Sequence, residues 1–163
     1  MEKNIQSYNK LCEELEINFK KLGYKYKKID LDEDANYMLS IGTEKSGLES
    51  IRKLKTIDGV VIYVDVADYS LNIIATNVYK INRERDINTY YKLVNNVNNI
   101  IDHGRFSLYA EKYSILYRST IEQGEGSLEK KIKNIVDEYL GNLAIFYVCK
   151  KKMEEDEWTE KKK

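Results

Sequence analysis

A chain of 163 residues, 42% hydrophobic and 33% charged, has enough material for one domain with a real core and too little for two. Its 27 basic and 27 acidic residues cancel, which argues against a dedicated nucleic-acid binder, because phosphate contacts supply most of such a protein's affinity. No apolar run approaches the roughly 20 residues of a membrane span, and Met1 to Gln6 lacks the basic-then-apolar order of a secretory signal, so a cytoplasmic protein is expected.

In chain order, Ile5, Tyr8, Leu11, Cys12, Leu15, Phe19 and Leu22 recur three or four apart. That spacing predicts a helix from about Asn4 to Leu22, closed by a left-handed cap at Gly23. Tyr24 and Tyr26 then alternate with Lys25, Lys27 and Lys28 as in a strand, and an acidic turn at Asp32-Glu33-Asp34 leads to a second strand, Tyr37 to Ile41. The stretch from Thr43 to Leu54 reads two ways. Leu48, Ile51 and Leu54 lie three apart and permit a short helix; a strand from Ile51 to Ile57, turning at Asp58-Gly59, is preferred. Val60 to Val66 and Leu71 to Tyr79 are dense in β-branched residues and read as strands, with a turn near Asp68-Tyr69-Ser70.

Asp86 is a natural N-cap for a second helix whose apolar face runs from Ile87 to Ile101 and which Gly104 ends. Arg105 to Tyr109 and Tyr113 to Thr120 predict a hairpin turning at Glu111-Lys112. Ser127 caps a third helix carrying Leu128 through Tyr147. With no proline in the chain, its turns fall to Gly, Asn and Asp. Consecutive strands joined by tight turns specify an α+β fold with an antiparallel sheet and three helices, in the order α-β(4–5)-α-β-β-α. Residues 1–150 form the single domain, and 151–163 read as a charged tail.

Chemistry is sparse. Asp30 to Asn36 spaces oxygens like a calcium loop, yet Ala35 and Ile41 stand where that loop needs Gly and a bidentate Glu, so it reads as a solvated acidic turn. His103 is the only histidine, which excludes a histidine metal cluster, and its place near a helix end suits a cation facing the helix dipole. Cys12 and Cys149 sit in apolar helical patterns as small hydrophobes. Gly124-Glu125-Gly126 lacks the Lys-Ser/Thr of a phosphate loop. No catalytic residue, metal or cofactor is expected. Asn95 and Asn98 lie three apart on one helical face, either as structural amides or as a ligand-binding pair. The fourteen tyrosines favour partner recognition. The abundance of Lys, Asn, Ile and Tyr fits an AT-rich bacterial or phage genome.

The helix ending Leu93-Val94-Asn95-Asn96-Val97-Asn98, with its exit through Gly104-Arg105-Phe106 and the Ser127-Leu128-Glu129 start of the last helix, resembles the YbjN-like family. The resemblance implies a fold like that of type III secretion chaperones, often dimeric, with no established catalytic residues and a chaperone-like or regulatory role. It brings forward Asn95, Asn98, His103, Gly104 and Arg105 as structural or binding positions. The expectation is therefore a non-enzymatic protein-binding module, homodimeric, with an unidentified protein partner. The alternative is a nucleic-acid-binding regulator using the Lys/Tyr strand at 24–28 for stacking, against a simpler reading of those lysines as edge protection.

Overall fold

The computed structural model describes residues 2–31, 34–46, 48–65, 70–121 and 126–160. Helix α1 (Glu2–Lys21) leads into β1 (Lys25–Leu31) and β2 (Asp34–Gly42), then a single-turn helix α2 (Glu49–Arg52). Strands β3 (Thr56–Asp65) and β4 (Ser70–Lys80), helix α3 (Ile87–Asn98), the hairpin β5 (Arg105–Tyr109) and β6 (Ser114–Ile121), and helix α4 (Leu128–Glu160) complete it. The strands form one antiparallel six-stranded sheet in the order β1-β2-β3-β4-β6-β5. The fold is α+β, as the spacing of strands and helices predicts.

Local signals explain the element ends. After α1, Tyr24 N–H donates to the Phe19 carbonyl at 2.8 Å and Gly23 N–H to that of Lys20 at 3.1 Å, with Gly23 at φ 74°. This is the paired closure that a left-handed glycine allows. Asp86 caps α3 by accepting from Asn88 N–H at 3.0 Å, and Ser127 Oγ accepts from Lys130 N–H at 3.3 Å at the start of α4.

Three expectations are corrected. Ile51 to Leu54 is not strand: Ile51 is fully buried within the one-turn α2, Lys55 takes a left-handed φ of 56°, and β3 begins only at Thr56. The three-residue apolar spacing there was the true signal. Asp58-Gly59 is no hairpin turn. Leu39 pairs with Val60 and Ile41 with Ile57, so both residues face Ser40 as a β-bulge, and Gly59 supplies φ 86°. Finally, α3 ends at Asn98, with a further turn closing through Ile101 N–H to the Val97 carbonyl, rather than running on to Gly104.

The helix also continues past Lys150. Helix α4 is 33 residues long, about 50 Å, and its charged last third is held by Lys150–Glu154 at 3.0 Å and Lys151–Glu155 at 3.8 Å. Lys150 also lies 5.0 Å over the Tyr79 ring. The acidic turn at Asp32-Glu33, the Asp68 turn and the Gly124 loop lie outside the described residues.

All three long helices pack on one sheet face. Phe19 of α1 meets Tyr37 at 5.4 Å, Tyr90 of α3 meets Tyr79 at 6.2 Å, and on α4 Phe146 meets Phe106 and Tyr139 meets Tyr117, both at 5.1 Å between ring centroids. Leu15, Val97, Ile132 and Ile135 fill the space between them. Each such large buried side chain contributes about 1.5–3 kcal/mol.

Candidate functional site

The exit of α3 brings together several of the residues singled out above, and it does so structurally. Asn98 Nδ2 donates to the Phe106 carbonyl and Phe106 N–H donates to Asn98 Oδ1, both at 2.9 Å. The amide thus gives edge strand β5 the two-way hydrogen bond that a further strand would supply. Asn95 is exposed and does not converge with Asn98 on a shared pocket. His103 has an exposed side chain and contributes its carbonyl, which accepts from Asn142 Nδ2 at 2.8 Å.

Gly104 is fixed by Tyr117. At φ 69°, a Cβ at position 104 would stand 2.0 Å from the Tyr117 hydroxyl oxygen. That hydroxyl donates to Glu138 Oε1 at 2.8 Å and accepts from Asn142 Nδ2 at 2.9 Å, while Ser119 Oγ also donates to Glu138 Oε1, at 2.7 Å. Burial, and then the bond to Glu138, push the Tyr117 hydroxyl above its ordinary range, so it stays protonated and keeps donating. Asn142 escaped sequence reasoning. Its signal was present: it interrupts the apolar face formed by Tyr139, Leu143 and Phe146, where a polar residue must find partners.

The opposite sheet face is different in kind. One row of cross-strand neighbours spans all six strands: Lys27, Met38, Val61, Ile74, Arg118 and Arg105, each the register partner of the next. Met38 is 37% exposed, Val61 and Ile74 are half-buried, and none of the three joins the core cluster. Leu116, next along this face, is buried yet also stands outside that cluster. A shallow groove of about 380 Å³ runs beside the row, lined by Tyr63, Asn72, Ile74, Arg118 and Thr120. Arg105 belongs here, on the side of the sheet away from the Asn98 corner.

The strand at 24–28 divides its residues between these faces. Tyr26 packs against Phe19 at 5.4 Å and donates to Glu16, and Tyr24 also lies against the core, where burial, and then Asp137, push its hydroxyl up to about 12. Lys25 and Lys27 pair with Ser40 and Met38 on the other side. The stacking surface imagined for a single-stranded nucleic acid is therefore not assembled on this strand.

A second groove, of about 660 Å³, lies between α3 and α4 and is lined by Thr89, Lys92, Ile100, Cys149, Lys152 and Asp156 among others. Burial pushes the Cys149 thiol up, away from thiolate reactivity. Among the described residues, no group of three potential metal ligands gathers, and no helix is long and apolar enough to cross a membrane.

No family model and no curated protein matches this chain. Among solved structures it is similar to the crystal structure of YbjN from E. coli, whose assignment as a transcription regulator is itself provisional. The two are 12% identical, the match covers 82% of this chain and 86% of that one, and the TM-score is 0.49. A likeness at that level carries no functional argument, and the α+β architecture rests on the strand order described above.

Proposed function

We propose that this protein is a non-enzymatic protein-binding module whose helix-free sheet face receives a partner chain. The observation that carries the reading is the apolar centre of that face. An antiparallel sheet with one solvated face normally alternates apolar and polar residues. Here the central strands read Val60-Val61-Ile62-Tyr63 and Leu71-Asn72-Ile73-Ile74-Ala75, close to the continuous apolar runs of strands covered on both sides. Among the described residues, helices cover only one side.

Self-association that lays this row on its own copy is unfavourable on charge. Either two-fold pairing of the face with a second copy sets Lys27 or the Arg105 and Arg118 pair against another basic end. A homodimer would need another surface, and light scattering of the purified protein reads that directly.

The test is capture by wild type compared with a Val61→Thr/Ile74→Thr variant, which keeps β-branched side chains and removes apolar surface. The variant should melt near wild type and lose captured partners. Equal capture by both proteins, or none by wild type, would sink the reading.

A further inference from the structure

We infer that the partner presents an acidic, extended segment whose carboxylates are held by the Arg105 and Arg118 pair; this rests on the docking-face reading above. Arg105 and Arg118 are direct cross-strand partners on the open face. Like charges in that relation oppose strand pairing. Both side chains are exposed, and among the described residues neither meets a carboxylate. Asp58, an exposed carboxylate on this face, already accepts from the Ser40 hydroxyl at the bulge. Among the described residues, two guanidinium forks are thus left side by side with no internal anion, in the arrangement that binds carboxylates bidentately.

The row sets the order of the ligand. Read across the sheet it is basic (Lys27), apolar (Met38, Val61, Ile74), then doubly basic (Arg118, Arg105). A complementary segment is acidic, then apolar, then acidic. Six strands spaced about 4.8 Å apart make the row about 24 Å long, which about seven extended residues span. A phosphate backbone would also seek the arginines. The row itself, however, carries Met38, Val61 and Ile74 at its centre and no ring, and Tyr63 in the groove beside it is half-buried, so the apolar-acidic peptide is favoured.

The probe is a labelled peptide, Glu-Glu-Ile-Val-Val-Glu-Glu, added to the full chain and followed by anisotropy at low and high salt. Its controls are the Lys-for-Glu peptide and a seven-nucleotide single-stranded DNA. The acidic peptide should bind, weaken with salt, and lose about tenfold or more in affinity with Arg105→Thr/Arg118→Thr. Arg118→Lys, which keeps charge but not the fork, should fall between. Folding of the double variant is checked by its melt, which removal of a like-charge pair should not lower.

Indifference to the arginine variants, or equal binding of the Lys peptide, overturns the inference. So does tighter, arginine-dependent binding of the DNA. If the acidic peptide fails while capture still depends on Val61 and Ile74, the acidic ligand falls and the docking face stands. If that capture difference also fails, both fall.

Discussion

Asn98 and Phe106 exchange two hydrogen bonds of 2.9 Å, one in each direction, so the last residue of α3 is bound to the edge of the sheet by its side-chain amide alone. Asn98→Ala leaves a backbone donor and acceptor without partners in a half-buried place and should cost about 2 kcal/mol. Asn95→Ala, at an exposed site on the same helix, should stay within about 0.5 kcal/mol. Urea unfolding reads both, with an unchanged m-value as the sign that only stability moved.

Gly104→Ala combines a left-handed backbone with a collision. The Tyr117 ring cannot swing clear without breaking its bonds to Glu138 and Asn142, so a loss of about 2–4 kcal/mol is expected. Gly23→Ala is the control: its φ is also positive, but nothing lies within 4 Å of the new methyl, and about 1 kcal/mol should be lost. A thermal melt separates the two, and equal losses would refute the role given to Tyr117.

Alkaline pH should unfold this protein through its tyrosines. Burial, the first cause in each case, raises Tyr24 to about 12 and lifts Tyr37, Tyr117 and Tyr139 further. A folded-state value above the unfolded value of about 10 means that the native state holds its protons longer. The stabilisation is complete below about pH 10 and is lost as pH rises through the raised values. Denaturant midpoints should be level to about pH 9 and fall steeply above 10, with tyrosinate absorbance appearing in step with unfolding.

Thr43 offers a stabilising change. Its side chain is fully buried and its hydroxyl has no partner among the described residues, while its N–H donates to the Lys55 carbonyl at 3.0 Å. Thr43→Val keeps the shape and removes the unbonded group, and it should gain about 1 kcal/mol in denaturant unfolding.

What sequence reading recovered was local. The Gly23 closure, the Asp86 and Ser127 caps and the β5–β6 hairpin each depend on a few adjacent residues whose backbone needs are distinctive. Asp58-Gly59 misled because a tight hairpin and a bulge ask for the same left-handed glycine, and only the pairing of Leu39 with Val60 decides between them. The alternation of Lys25, Tyr26 and Lys27 was legible, but not which set would face the helices. The charges after Lys150 read as a tail although their four-residue spacing supports a helix. The candidate face was invisible for a related reason: Arg105 and Arg118 become neighbours only through the register of β5 with β6, a long-range fact that neither segment states.

The contact between Gly104 and Tyr117 reaches beyond this one chain. A methyl at 104 and a hydroxyl-bearing ring at 117 exclude each other, so the two positions form a single unit of inheritance. Among descendants of this fold, larger residues at 104 should appear only where 117 has become small and Asn142 and Glu138 have been freed to change with it. Such linked substitution would trace the lineage of the corner even where overall identity has faded.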